Sequence, residues 1–413
     1  MIFFCDNPPL KEKGFGLSVL TYNQLLGLGG TVKHVLTFRG QNGVIKADIV
    51  ADATWPTFLC DDALGGWAER KLKGKIRYGV EATAFLISLP RILAILRCHP
   101  ESPVFAPIGA SASLLWRVLL LRILAKNALW LYFVDDIELI NKRMNRRFEN
   151  LCARLMLPAS LRKADRIFVI SEGLGNVYAK RHGVKAGLIL PCFKTVAHPP
   201  RKSPPGERNV TFVFSGGLSF LYNDTLLAFQ KSLLALNNAH PGSRFRLIIQ
   251  TYSPKSQFTT LGFDESVTEY RTAEKRGDFA SYREADCFLV PYSFDPEMKI
   301  MVTTSFPQKV AELLQMSRPI LFFGPAYSSV VGFFKKADVP LVVDTPDPNV
   351  LEETILSLVE PFPAEGLLER YAALHRDHFS PAAAATSMLS GRDPIDSSRE
   401  VRPSPSAVGG ANG

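Results

Sequence analysis

Residues 303–325 read TTSFPQKVAELLQMSRPILFFGP, and this stretch sets the interpretation of the whole chain. It predicts a helix over residues 307–316, because Thr304 or Ser305 suits the N-cap and proline suits the first turn. A second proline ends the helix, since the residue before a proline disfavours helical geometry. The unbroken apolar run Ile320–Phe323 then indicates a strand that is covered on both faces, as in a parallel sheet.

The start of this helix is a candidate phosphate site. Backbone N–H groups, the positive end of the helix dipole and Lys309 would all point past the sheet edge. The same residues are equally typical of an ordinary amphipathic helix, with Val310, Leu313 and Leu314 on its apolar side. The stretch alone therefore leaves a phosphate site and plain scaffold as equal alternatives.

The composition describes a globular protein with a basic balance of charge. The chain has 413 residues, 46% of them hydrophobic and 21% charged, which suggests two or three domains with sizeable cores. Its net charge of +9 favours anionic partners such as nucleotides, nucleic acid or anionic lipid, although an inert basic surface gives the same balance. The six cysteines form no CxxC pair, so we expect free thiols in a reducing cytosol and no zinc site.

Membrane contact is expected to be peripheral at most. The first residues, MIFFCDNPP, lack the basic region of a signal peptide, and no run of about 20 apolar residues is free of charge. The segment 112–126 carries Arg117, Arg122 and Lys126 among many leucines. It fits either a basic amphipathic helix on the inner face of a membrane or a core helix with a solvated rim, and we favour the core helix.

Alternating strand and helix patterns predict an α/β fold. A strand at residues 1–5, a loop ending in Gly-Phe-Gly at 14–16, a helix at 17–28 and a strand at 32–38 form the first unit. The glycines of the loop allow a ligand to approach the backbone closely. They do not form a dinucleotide fingerprint, because the third glycine of that motif is absent.

The proline-rich segment 195–208 divides the chain into two similar halves. Each half repeats the alternation of strands and helices, which predicts two Rossmann-like doubly wound domains. In the first half, a helical pattern at 76–98 is broken at Pro90. The predicted organisation is two domains, at 1–194 and 209–362, followed by a C-terminal helix at 363–389 and a disordered tail at 390–413.

Three acidic residues follow a predicted strand of the first half. The apolar run 130–134 leads directly to Asp135, Asp136 and Glu138. Ligands of open α/β sheets bind at the carboxyl ends of strands, so these acids could serve as bases or bind substrate hydroxyls. They could equally cap the helix that follows.

Four motifs, in order and at suitable distances, make the chain resemble a known family. They are DRIFVISE at 165–172, FSGGL at 214–218, ADCFLVP at 285–291 and SFPQKVAE at 305–312. Together they resemble glycosyltransferases with the GT-B fold, of the family 4 type that is also called glycosyltransferase group 1. The resemblance extends from residue 1 to about residue 376. It implies two Rossmann-like domains that face each other across a cleft.

In such enzymes one lobe, the donor lobe, binds a nucleotide-diphosphate sugar. Carried over by position, the resemblance implies that Glu312 binds the ribose and that Lys309 contacts the diphosphate. Asp135 takes the place of the catalytic histidine that is common in the family. The other residues implied in the site are the donor-binding Gly216, Gly217 and Ser305 and the acceptor-loop Gly14 and Gly16.

Besides the absent histidine, the chain departs from the family pattern in two further places. The family motif has two glutamates eight positions apart, and Thr304 stands where the first is expected. Many members also carry basic residues after the glycine turn, where this chain has 217–220 and Asn223. Lys309 or Lys299 would then supply the missing charge. A weakened or inactive relative is therefore an alternative.

The resemblance implies transfer of a sugar from a nucleotide-diphosphate donor to a glycan or lipid-linked acceptor, in polysaccharide biosynthesis in the cytoplasm, with retention of anomeric configuration. No metal and no cofactor beyond the nucleotide sugar is expected, since no acidic metal motif is present. A non-catalytic binding protein of the same fold and a nucleotide-sugar epimerase are the alternatives. Nucleic acid fits least, because the basic residues are dispersed and lack interleaved aromatic residues.

Overall fold

The N-terminal half of the chain folds around a sheet of seven parallel strands. The structure, a computed structural model, describes residues 1–10, 16–38, 54–60, 75–109, 112–195, 209–273, 280–359 and 364–390. The strands are β1 Ile2–Cys5, β2 His34–Thr37, β3 Thr57–Leu59, β4 Val104–Ile108, β5 Leu129–Phe133, β6 Arg166–Val169 and β7 Gly187–Leu188. They lie in the order β3-β2-β1-β4-β5-β6-β7.

The C-terminal half folds around a second parallel sheet with six strands. These are β8 Asn209–Ser215, β9 Arg244–Thr251, β10 Thr268–Thr272, β11 Cys287–Pro291, β12 Ile320–Phe323 and β13 Val342–Val343. Their order is β10-β9-β8-β11-β12-β13, so both sheets reverse direction beside their first strand. This is the order of doubly wound folds, in which ligands bind at the reversal point. The predicted α/β class with two Rossmann-like sheets is confirmed.

Helices cover the faces of both sheets. Those of the first half are α1 Leu17–Leu28, α2 Lys75–Cys98, α3 Ser113–Leu124, α4 Ile137–Arg143, α5 Arg147–Lys163 and α6 Glu172–His182. Those of the second half are α7 Asn223–Ala239, α8 Lys255–Leu261, α9 Ala280–Glu284, α10 Lys299–Thr304, α11 Lys309–Leu313, α12 Ser329–Lys336, α13 Pro348–Leu356, α14 Ala364–Leu374 and α15 Pro381–Leu389. The buried strands between these layers form a continuous hydrophobic core.

Helix α2 runs through Pro90, so the predicted break there is wrong. Pro90 is exposed, whereas Phe85 and Ile92 on either side of it are buried in the core. The buried anchors hold the helix together, and water can satisfy the carbonyl that the proline leaves without a donor. Its part Gly79–Cys98 has the length and composition of a membrane span, although Phe85 packs against the Phe4 ring of β1. We interpret α2 as a half-covered crossover helix of the sheet.

The C-terminal segment returns to the N-terminal lobe. The predicted single helix at 363–389 is wrong, because a π-helical turn at His375–Phe379 separates α14 from α15. The Phe193 N–H donates to the carbonyl oxygen of Phe379 at 2.9 Å, and α15 packs against α1. Residues 196–208 of the predicted linker and 391–413 of the predicted tail lie outside the described residues.

The packing of α15 on α1 depends on Gly27. A Cβ atom at this position would overlap the carbonyl oxygen of Pro381 at the start of α15. We expect Gly27→Ala to lower the free energy of unfolding by about 1–3 kcal/mol, because the two helices must separate to admit a methyl group. Gly30→Ala is the matched control, since a Cβ atom there meets no atom within 4 Å. Equal denaturation midpoints for the two variants would contradict this prediction.

Candidate functional site

The carboxyl ends of the two sheets lie at the junction of the lobes. In the first sheet, Asp135 follows β5 and Ser171 follows β6. In the second, Gly216 follows β8 and Tyr292 follows β11. The Ser171 hydroxyl donates to the carbonyl oxygen of Thr304 at 2.8 Å, which joins the lobes at this level. The carboxyl ends of strands from both sheets therefore border one interlobe region, and doubly wound folds bind ligands at such ends.

The predicted acceptor loop contacts the predicted donor stretch. With its amide oriented to satisfy both groups, Gln308 donates to the Gly16 carbonyl oxygen at 2.9 Å and accepts from the Leu20 N–H at 2.8 Å. Gly16 has φ +48°, a backbone conformation that side chains disfavour, and a Cβ atom there would meet nothing within 4 Å. Gly14 lies outside the described residues. The backbone of Gly16 thus borders the interlobe region.

The helix predicted over 307–316 is wrong in its start and its length. Helix α10 ends at Thr304, Ser305 is extended, and α11 comprises only Lys309–Leu313. Neither the Thr304 hydroxyl nor the Ser305 hydroxyl caps α11. The Thr304 hydroxyl instead donates to the carbonyl oxygen of Ile300 within α10 at 3.0 Å. A five-residue helix carries little dipole. The lysine side chain, rather than the helix end, is therefore the positive group of this stretch.

Lys309 belongs to a hydrogen-bonded cluster that reaches the glycine turn. Its ammonium group donates to the hydroxyl of Tyr282 at 2.7 Å and to the Glu312 carboxylate at 3.3 Å. Tyr282 also hydrogen-bonds Ser215, which directly precedes Gly216, and burial raises the pKa of Tyr282. The Glu312 side chain is 2% exposed and that of Lys309 is 31% exposed, so an anionic ligand can reach the lysine.

The glycine turn itself is firmly held. The Gly216 N–H donates to the carbonyl oxygen of Gln250 at 3.1 Å, and the Leu218 N–H donates to the Ser253 hydroxyl at 2.9 Å. A Cβ atom at Gly217 would meet nothing within 4 Å. The turn therefore presents open backbone at a fixed position, which suits close approach of a ligand.

The three acids after β5 have separate roles. Asp136 caps α4 by accepting from the Leu139 N–H at 3.2 Å, and it forms an ion pair with Arg181 at 3.0 Å. Glu138 pairs with the same arginine at 2.9 Å. No hydrogen bond or ion pair within the described part of the chain engages the carboxylate of Asp135. The sequence suggested that these acids either cap the next helix or contact a ligand. Asp136 is the cap, and the carboxylate of Asp135 is available to contact a ligand.

The surroundings of Asp135 favour its protonated form. Burial raises the pKa of Asp135 to about 7, and the charge of the adjacent Asp136 adds to the rise. Burial raises the pKa values of Tyr222 and Tyr292, and the charge of Asp135 adds a smaller rise, so the carboxylate lies near these donor-lobe residues. The Tyr292 hydroxyl lies 3.1 Å from the Ser305 hydroxyl. Tyr292 therefore lies between the predicted donor residue Ser305, which it contacts, and the charge of Asp135, which affects its pKa.

Thr304, at the position of the missing glutamate, has a structural role. The residue is 4% exposed, and its hydroxyl and carbonyl groups are occupied within α10 and at the lobe junction. Gly173 packs so closely there that a Cβ atom would overlap the carbonyl oxygen of Thr303. Thr304 therefore helps to fix the two lobes relative to each other and does not bind a ligand.

Sequence reasoning missed three tyrosines of the site, Tyr222, Tyr282 and Tyr292. Tyr222 and Tyr292 pack edge to face with ring centroids 5.5 Å apart. Only Tyr292 carried a signal, since it directly follows a strand whose carboxyl end faces the cleft. Between residues 1 and 390, outside the undescribed gaps, no three His, Cys, Asp or Glu side chains group as a metal site.

Comparison with known proteins gives structural relatives only. No family model matches the chain, and no curated protein matches it in sequence. The N-terminal domain of Candida albicans trehalose-6-phosphate phosphatase has TM-score 0.61 and 12% identity, covering 94% of this chain and 96% of that one. Anabaena Alr3699/HepE, solved with UDP and glucose, has TM-score 0.60 and 13% identity, with coverages of 94% and 98%.

A third solved structure concerns enzymatic glycosyl transfer with retention. It is a trehalose-6-phosphate synthase studied with bisubstrate glycomimetics, with TM-score 0.54, 12% identity and coverages of 94% and 98%. These identities establish a shared fold and nothing finer. The chain therefore has the two-domain fold of GT-B glycosyltransferases, and its assignment to the family 4 type stays a prediction.

Proposed function

We propose that this protein is a glycosyltransferase that moves a sugar from a nucleotide-diphosphate donor to a glycan or lipid-linked acceptor. The observation that carries the proposal is the link from Lys309 through Tyr282 and Ser215 to the glycine turn. It sets a lysine beside open backbone at the reversal point of the donor sheet. The GT-B relatives support the same assignment, since one was solved with UDP and glucose.

In this mechanism the bond between the anomeric carbon and the diphosphate breaks, and a bond from that carbon to the acceptor oxygen forms. Lys309 stabilises the negative charge that grows on the leaving diphosphate, which lies against Gly216 and Gly217. Glu312 holds Lys309 in place and accepts ribose hydroxyls. Asp135 takes the proton of the acceptor hydroxyl, a role that suits a carboxylate with a pKa of about 7.

Retention of configuration and independence from metal belong to the same proposal. A retaining relative of the same fold supports the first. The second rests on Lys309 as the group that neutralises the leaving diphosphate. We further propose that the protein acts in the cytoplasm on polysaccharide precursors. A chelator should then leave the rate unchanged, and the product should keep the anomeric configuration of the donor.

Hydrolysis of a panel of nucleotide sugars, with and without acceptor extracts, tests the proposal. We expect release of one nucleoside diphosphate, faster when an acceptor is present. If the protein binds a nucleoside diphosphate but turns over no donor, with or without acceptor extracts, the enzyme assignment is contradicted. This outcome would favour the second candidate, a non-catalytic binding protein, for which the structural role of Thr304 at the motif position is the supporting observation.

A further inference from the structure

Helices α2, α3 and α5 share one face of the N-terminal sheet. The crossovers β3 to β4, β4 to β5 and β5 to β6 all advance in the same direction along the sheet. Crossovers of this kind are right-handed, so α2, α3 and α5 lie on the same face, and α3 packs against both of the others. The crossovers from β1 to β2 and from β2 to β3 advance the opposite way, which places α1 on the other face.

This face carries the exposed apolar side chains of the lobe. Within the described part of residues 1–195, every large hydrophobic side chain that is strongly exposed belongs to α2, to α3, or to α5 and the turn before it. They are Leu86, Ile87, Ile123, Leu124, Met144, Phe148, Leu151 and Leu155. Leu155 is 62% exposed and Leu151 is 53% exposed. Large apolar side chains gathered on one face of a lobe indicate an interaction surface.

The turn before α5 and the first half of that helix carry a continuous apolar stripe. Within the helix, Phe148, Leu151 and Leu155 recur at spacings of three and four residues, which places them along one side. Met144 precedes them in the turn and is also exposed. The buried side of the helix is formed by Glu149, Ala153, Leu157 and Ser160. At 100° per residue the two sets point in opposite directions, so α5 is apolar both toward the core and toward solvent.

The exposed charges of the segment that carries the stripe are all positive. Between residues 142 and 163 the exposed charged side chains are Lys142, Arg143, Arg146, Arg147, Arg154, Arg162 and Lys163. The one acid in this segment, Glu149, is buried and accepts the Ala112 N–H at 2.9 Å. Arg143 differs from the others because it contacts the donor lobe, with its guanidinium 5.4 Å from the Phe220 ring centroid and 4.0 Å from the Glu297 carboxylate.

The segment 112–126, which the sequence offered for membrane contact, is less suitable. Arg117 is 2% exposed and forms ion pairs with Asp6 at 3.0 Å and Glu81 at 3.3 Å. Arg122 pairs with Asp165 at 3.3 Å. Two of the three bases that suggested an amphipathic membrane helix are thus engaged with acids, as expected for a core helix with a solvated rim.

We propose that the stripe of Met144, Phe148, Leu151 and Leu155, with its surrounding bases, docks the protein on an anionic lipid bilayer. Apolar side chains would enter the acyl boundary while arginines pair with anionic headgroups. A nucleic acid would be attracted by the same charges but would not use four exposed apolar side chains. Arg143, beside the stripe, touches the donor lobe, so docking would bring the cleft close to the bilayer.

This docking does not depend on the proposed transferase activity. Only its extension does: a cleft held at a bilayer would take its acceptor as a lipid-linked glycan. The binding measurement below needs no turnover, and the hydrolysis of soluble nucleotide sugars needs no membrane. Failure of the docking surface and failure of the proposed function therefore give different results.

Sedimentation with vesicles tests the docking surface. The full chain should sediment with phosphatidylcholine–phosphatidylglycerol vesicles at low salt and should be released from them at high salt. It should not bind vesicles of pure phosphatidylcholine. Arg147→Glu with Arg154→Glu should weaken the partition at least roughly 30-fold, because each base near an anionic surface contributes about fivefold. Lys231→Glu with Arg283→Glu, exposed bases of the donor lobe, is the matched control and should bind as wild type.

The apolar part of the surface has its own variant. Leu155→Ser should weaken the partition by about tenfold, since a leucine no longer enters the bilayer. Val350→Ser, an exposed apolar residue of the donor lobe, should change nothing. Absence of salt-sensitive binding by wild type, or equal binding by the arginine variants and their control, would overturn the proposal. So would salt-sensitive binding to both vesicles and RNA that Leu155→Ser leaves unaltered, which would assign the surface to polyanions in general.

Discussion

Replacing Asp135 by Asn should lower the rate of glycosyl transfer by about 10²–10⁴-fold, the range for loss of a general base. Among the described residues, no hydrogen bond or ion pair ties up its carboxylate, and the charge of this group is felt by two donor-lobe tyrosines. The affinity for the nucleoside diphosphate should stay unchanged, because Asp135 acts on the acceptor side. Single-turnover kinetics and calorimetric titration of the same preparation separate the two effects.

The pH dependence gives this prediction a second readout. A general base works when ionised, so the wild-type rate should rise with pH and reach half its plateau near pH 7. Asp135→Asn should abolish this limb. A rate that is independent of pH between 5 and 8 (about the range in which the carboxylate would titrate) would contradict the assignment.

The same substitution should stabilise the protein at high pH. A pKa raised in the fold means that the folded protein binds more protons than the unfolded chain between about pH 4 and pH 7, so this group lowers stability as pH rises. At pH 8 the Asn variant should gain about 1–2 kcal/mol after allowance for solvent access to the site. Asp136→Asn is the control and should lower the free energy of unfolding, since this variant weakens a helix cap and loses an ion pair.

Glu312→Gln should weaken binding of the nucleoside diphosphate by about 10–100-fold, a loss of about 1.4–2.7 kcal/mol. The amide keeps the volume of the side chain but removes the charge that holds the Lys309 ammonium 3.3 Å away. It also weakens acceptance of ribose hydroxyls. Fluorescence or calorimetric titration measures the change directly.

A matched control for this variant is Glu353→Gln, an exposed acid on α13. It changes the net charge equally and should leave nucleotide affinity at the wild-type value. Circular dichroism and the denaturation midpoint establish that Glu312→Gln is folded, which matters because Glu312 is nearly buried. A folded Glu312→Gln that binds as tightly as its control would remove Glu312 from the donor site.

The elements that sequence predicted well are those whose information is local. Strand β12, at Ile320–Phe323, has the predicted bounds, because a short apolar run between breakers leaves little choice of register. Helix α1 likewise matches its predicted range. The two-lobed architecture follows from repeating such units, which explains why the fold class was accessible from sequence.

The errors concern choices that depend on distant residues. Whether Thr304 caps the next helix or bonds backward within α10 depends on Ser171, more than 100 positions away, which holds its carbonyl. Arg181 forms an ion pair with Asp136 and so decides which acid after β5 is available to a ligand. Tyr282 enters the site only because α9 packs beside α11. Helical periodicity and motif spacing contain none of these partners.

The most direct measurement of the donor site is hydrogen exchange with and without the nucleoside diphosphate that the protein binds most tightly. The account predicts slower exchange in the glycine turn at 215–218 and in the segment 305–313, with the groove lined by Arg244, Lys255 and Tyr270 unchanged. Protection confined to that groove or to the N-terminal lobe, or no protection at saturating ligand, would contradict a nucleotide-diphosphate site at Lys309 and Glu312.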